Sequence, residues 1–214
     1  MRSSDWSDRL LILVLAATAG CVDAVGFIEL GGYFVSFMSG NTTRLGLAAG
    51  EGDWSGAGFV LGLIMLFVGG VTAGHLIGRG AGAARITTLL GVEAMLLAIA
   101  AILHDLGLAR IASPLTAVAM GFANSIFSRD GGQGVGVTYM TGALVRIGAA
   151  IAQGRRRDLA LDLMLWLSLT IGVALGAIGH HALGGGILRL PAAALLFAAI
   201  VIWWRGRGTR ASSS

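Results

Sequence analysis

The sequence predicts an all-α integral membrane protein: about six transmembrane helices arranged as two inverted three-helix repeats, each with a glycine-broken or re-entrant segment after its first helix. Three observations lead there. With 56% hydrophobic residues, 12% charged residues and a mean hydropathy of +0.83, a chain of 214 residues has too little polar surface for a water-soluble globule. The chain also repeats itself, because Gly20, Asp23, Glu29 and Gly31 recur as Gly121, Asn124, Asp130 and Gly132. After a one-residue insertion, Val35-Ser-Phe-Met-Ser-Gly40 matches Val137-Thr-Tyr-Met-Thr-Gly142, Arg44-Leu-Gly46 matches Arg146-Ile-Gly148, and Gly70, Val71 and Gly74 match Gly172, Val173 and Gly176. Finally, apolar runs of spanning length alternate with short segments that carry the arginines.

The runs themselves set the elements in order: 10 to 28, 56 to 77, 86 to 104, 112 to 128, 160 to 180 and 188 to 204. They fill a single transmembrane domain over 1–214, with repeat one at about 10–104 and repeat two at about 112–204. The polar stretch 205–214 reads as a disordered cytoplasmic tail. Six crossings put both termini on one side. Arg2, Arg9, Arg79, Arg85, Arg129, Arg155, Arg156, Arg157, Arg205, Arg207 and Arg210 then share that side, against Arg110 and Arg189 on the other, which makes it the cytoplasmic face of an inner membrane.

The stretches 33–50 and 135–154 are as long as short spans but carry Gly, Ser, Thr, Asn and an Arg throughout. Counting them as full crossings would scatter the arginines over both faces. Each is therefore expected to be a re-entrant or broken half-helix, following Gly31-Gly32 in one half and Gly131-Gly132 in the other. Three crossings per repeat is an odd number, so the second copy enters the membrane from the opposite side.

Charge and chemistry exclude several classes. All fifteen basic residues are Arg, so a Schiff-base lysine and a phosphate-loop lysine are both absent. The arginines flank apolar runs as topology signals, which argues against a nucleic-acid partner. The single Cys21 reads as a small packing residue. No nucleophile elbow, His-Glu-x-x-His helix or paired-cysteine motif occurs, so no enzyme, cofactor or metal is expected. His104 and His180-His181 read as interfacial histidines at helix ends.

The run Leu15-Ala-Ala-Thr-Ala-Gly-Cys-Val-Asp-Ala-Val-Gly-Phe27 and the run Gly32-Tyr-Phe-Val-Ser-Phe-Met-Ser-Gly-Asn-Thr-Thr-Arg-Leu-Gly46 carry a family likeness. Together they resemble the start of the YoaK-type family of bacterial multi-pass membrane proteins of unknown function. The resemblance implies the topology over nearly the full chain and supplies no catalytic residues.

Candidate site residues follow from the cost of polarity inside a bilayer. An ionisable side chain within a span costs at least about 2.5 kcal/mol and usually faces a cavity or a partner, which singles out Asp23. Its repeat equivalent is Asn124, polar but unable to titrate. Asp23 either binds and couples a solute or ties down the neighbouring broken helix; both readings stand. Ser39, Gly40, Asn41 and Thr42, with Thr141 and Gly142 in the second copy, supply hydroxyls and bare backbone for solute binding. Glu93 is a second carboxyl at membrane depth, either a coupling group or the partner of an Arg. Arg44 and Arg146 occupy equivalent positions, either pairing to bind an anion or each neutralising a nearby acid. The expected function is a small-solute secondary transporter or permeation protein, proton- or cation-coupled through Asp23, with the bilayer and an unidentified small solute as partners and a homodimer as a plausible assembly. A non-transporting membrane scaffold or assembly factor is the alternative.

Overall fold

The computed structural model describes residues 4–126 and 140–211. All regular structure there is helical: α1 (Ser4–Glu29), α2 (Met38–Gly50), α3 (Trp54–Gly80), α4 (Arg85–Asp105), α5 (Ala109–Asn124), α6 (Met140–Ala152), α7 (Arg156–Leu183) and α8 (Arg189–Ala211). Short 3₁₀ turns, Gly82–Ala84 and Gly184–Leu188, lead into α4 and α8. The glycine break Gly131-Gly132, with Asp130 and Thr138, lies outside the described residues.

The six apolar runs fall on α1, α3, α4, α5, α7 and α8. By length and composition four stretches can cross a membrane: Arg9–Glu29, Trp54–Gly80, Arg85–Asp105 and Arg156–Arg205, the last of which runs through both α7 and α8. α5 is shorter, at 16 residues, and ends at Asn124 rather than at the expected 128. α8 continues to Ala211, into the stretch expected to be a disordered tail. Large apolar side chains such as Met65 and Val68 on α3, Ile178 on α7 and Phe197 on α8 point outward, as a multi-pass membrane protein requires of its lipid-facing surface.

The packing is reciprocal between the two halves. α1 lies on α7, α3 lies on α5, and α4 lies against α8 and α5. Bare glycines allow the first two contacts. A side chain at Gly20 would meet the Leu169 carbonyl, and one at Gly121 would meet the Phe67 carbonyl. Likewise Gly172 faces the Ala17 carbonyl and Gly70 the Val118 carbonyl. The glycine stripe thus joins the two halves within one chain, a choice the sequence leaves open between halves and subunits.

The ends of the bundle are identifiable from side-chain contacts. Glu29 at the end of α1 meets His104 at the end of α4, Ser113 early in α5 and His180 late in α7. At the other end, Arg85 at the start of α4 donates to the Ser125 and Ile126 carbonyls just past α5, at 2.7 and 2.9 Å. Arg9 near the start of α1 shares a cleft with Arg146 of α6 and Asp162 of α7.

Candidate functional site

Past α1 the chain turns on Gly31 and Gly32, whose φ values of +68° and +100° suit glycine and strain other residues. It then folds back beside α1. The Val35 and Ser36 amides donate to Asp23 Oδ1 at 2.9 and 3.0 Å, and the Ser36 hydroxyl donates to Oδ2 at 2.8 Å. Asp23 lies six residues before the end of α1, so the loop descends roughly 9 Å along the bundle before α2 begins. α2 then returns toward the end of α1, since Arg44 stacks over Phe27 and Tyr33 at 5.9 and 5.3 Å from the ring centroids. Residues 33–50 are therefore re-entrant in shape.

Asp23 thus satisfies three donors of its own loop, with Val35 and Ser36 both buried. Buried Asn41 closes the same loop by accepting from the Phe34 amide at 3.0 Å and donating to the Phe34 carbonyl at 2.6 Å. The Thr42 hydroxyl donates to the Met38 carbonyl, Gly40 packs against the Phe34 and Phe37 rings, and Ser39 is exposed. In the second copy Thr141 is exposed and Gly142 is half-buried on α6. These hydroxyls do not gather around one cavity.

Two expected pairings are also separated. Asn124 closes α5 and donates to the Met120 carbonyl at 2.8 Å. It stands toward the Arg85 end of the bundle: with Ser113 level with Glu29, Asn124 lies farther along the axis than Asp23 by roughly 8 Å at 1.5 Å per helical residue, and each is held by its own segment. Arg44 sits at the Phe27 level of α1, whereas Arg146 lies near Arg9 and binds Asp162 at 2.8 Å. Eighteen residues of helix, roughly 27 Å, divide those levels, so the two arginines do not form one anion site. Arg146 instead neutralises an acid.

Glu93 is different. It is fully buried on α4 among Leu89, Leu90, Ala94 and Leu97, and among the described residues neither carboxyl oxygen has a hydrogen-bond partner. Among the described residues no Arg pairs with it, so the Arg partner that the sequence offers as one reading is not found there. α4 packs on α8, which carries the repeat equivalent Leu195, and on α5. Among the described residues a charged carboxylate has nothing to hold it in that position.

At the Glu29 end, sequence reasoning missed a cluster. Glu29 Oε1 is 2.7 Å from His104 Nε2 and 3.3 Å from His180 Nε2, while the Ser113 hydroxyl donates to Oε2 at 2.6 Å. The three donor atoms of Glu29, His104 and His180 all lie within 4.8 Å of one another. Glu29 and His180 are 151 residues apart in the chain. The only sequence signals were the repeat position of Glu29 and histidines in the last turns of two helices.

The family described as "Protein of unknown function (DUF1275)" matches residues 11–201. The UPF0700 transmembrane protein RA0705 of Rhizobium meliloti is 36% identical over 194 residues, 87% of this chain and 82% of that protein. The UPF0700 transmembrane protein YoaK of Bacillus subtilis is 28% identical over 144 residues, 64% of each chain. No solved structure matches significantly.

Proposed function

The chain belongs to the DUF1275 family, and from that membership and the geometry of its core we propose that it is a small-solute membrane transporter whose coupling carboxyl is Glu93. The carrying observation is an ionisable group buried without a partner where α4 of one half meets the helices of the other. Intramembrane carboxyls of this kind mark proton or ion paths, because their charge is tolerable only while water, a cation or a substrate reaches them. A rocking motion of one half against the other would open such access.

The reading includes two inverted repeats. Arg44 and Arg146, equivalent in sequence, lie at opposite ends of α1, and the α1–α7 contact mirrors the α5–α3 contact glycine by glycine, which supports that arrangement. It also includes an inner-membrane location with both termini cytoplasmic, supported by the arginine bias. Asp23 takes a positioning role here, since its oxygens are occupied by its own loop.

The test is reconstitution into vesicles that enclose a pH-sensitive dye, challenged with a panel of small sugars, amino acids and inorganic ions. We expect at least one solute to drive a pH change, and Glu93→Gln to reduce it to the level of empty vesicles. Because that carboxyl has no partner to lose, the same substitution should change stability by less than about 1 kcal/mol. Undiminished proton movement in Glu93→Gln would refute the assignment. Silence of the folded wild type across the panel would favour the scaffold reading, which the loop-bound Asp23 and glycine-packed helices also fit.

A further inference from the structure

We infer that Glu29, His104 and His180 form a binding site for a divalent transition-metal cation of the zinc class, at the end of the bundle where α1, α4 and α7 terminate. One carboxylate oxygen and two imidazole nitrogens are the donor set that such borderline cations take in sites with a free coordination position. Tetrahedral ligands at about 2.0–2.1 Å from a zinc ion stand about 3.3 Å apart. Glu29 Oε1 and His180 Nε2 already have that spacing, at 3.3 Å, and the Glu29–His104 pair, at 2.7 Å, needs only to open slightly.

Electrostatics point the same way. α1 ends at Glu29, α4 at Asp105 and α7 at Leu183, so three helix C-termini direct their partial negative charge at this end, against the one N-terminus of α5 that brings Ser113 to it. The nearby Arg189 guanidinium is taken up by Asp105 and does not supply the missing cation.

The surroundings have the features of a supported metal centre. The Ser113 hydroxyl holds the second oxygen of Glu29, which fixes the carboxylate orientation as outer partners of metal ligands do. The 3₁₀ turn Gly184–Leu188 closes over His104, where a side chain at Gly185 would strike the imidazole ring and the Gly185 amide donates to Nε2 at 3.1 Å, a contact that the bound ion would replace. The Glu29, His104 and His180 side chains are 9%, 23% and 18% exposed, so the cluster is mostly enclosed yet open enough for an ion to enter. Its nearest sequence neighbour of the same type, His181, is exposed and outside the cluster.

The experiment is titration of the purified full-length protein, stripped with EDTA and held in lipid nanodiscs, with Zn²⁺ alone. We expect saturable binding of about one ion per chain, weakened at least about 100-fold in His104→Asn and in His180→Asn, and by about 10- to 100-fold in Ser113→Ala. His181→Asn should bind like wild type. Substituting Co²⁺ should give the visible absorption of a four- or five-coordinate ion, absent from His180→Asn. Variants are compared only where their metal-free melting matches that of the wild type, and Ser113→Ala carries the comparison if the ligand variants do not fold. Absence of saturable Zn²⁺ binding by the wild type overturns the inference. Equal losses in His181→Asn and His180→Asn, or an affinity unchanged in Ser113→Ala when the ligand variants do not fold, would do the same.

Discussion

Gly172→Ala should destabilise the protein by about 3 kcal/mol or more, while Gly69→Ala should leave it unchanged within about 1 kcal/mol or slightly stabilise it. At Gly172 the new methyl group would occupy the place of the Ala17 carbonyl, and backbone cannot step aside as a flexible side chain can. Separating α1 from α7 to make room would also loosen the reciprocal contacts of Gly20 and Gly176 on the same pair of helices. Gly69 is exposed on α3 with nothing within 4 Å, so an added methyl meets only lipid and gains helix propensity. Gly70, the next residue and the repeat equivalent of Gly172, faces the Val118 carbonyl and should behave like Gly172. Thermal unfolding in detergent, followed on the four single variants including Gly20→Ala, reads the contrast directly. Similar shifts at Gly69 and Gly172 would contradict the packing described here.

Asp23→Ala should cost about 3 to 5 kcal/mol, and Asp23→Asn only about 1 kcal/mol. Alanine leaves two amides and a hydroxyl without an acceptor, and each buried orphan costs about 1–3 kcal/mol. Asparagine keeps one carbonyl oxygen for the Val35 and Ser36 amides, and the Ser36 hydroxyl can turn to accept from its amide. Loss of the carboxylate should also release the loop from α1, so that proteolysis at Phe34 and Phe37 accelerates in the Ala variant ahead of global unfolding. A vesicle assay on Asp23→Asn separates positioning from coupling: retained transport fits the former, and loss in a normally folded protein restores Asp23 as the coupling group. An Ala variant as stable and as protease-resistant as the Asn variant would remove the loop-clamp role.

Much of the architecture was legible because its causes are local or periodic. Apolar runs of spanning length produced the helices, and Gly31-Gly32 marked a break that the structure makes with two left-handed residues. Asp53, accepting from the Gly56 amide at 2.9 Å, starts α3 one residue before Trp54. The candidate site was legible only in part. Asp23, Asn41 and Ser36 proved to be one loop's hydrogen-bond set, and the sequence had offered that reading for Asp23 beside the solute-binding one. The equivalences Asp23 with Asn124 and Arg44 with Arg146 suggested shared sites, but Asp23 and Asn124 are each held by their own segment, and Arg44 and Arg146 lie at different levels of α1.

What the chain determined by itself is its solvent and its segment plan: composition, run length and arginine placement, each readable without knowing any partner. Tertiary structure alone decided which polar groups have company. Among the described residues Glu93 is left without a partner and Glu29 receives two imidazoles and a hydroxyl because helices distant in sequence dock there, and hydrogen-bond and ligand geometry acts over a few ångströms of space, not along the chain.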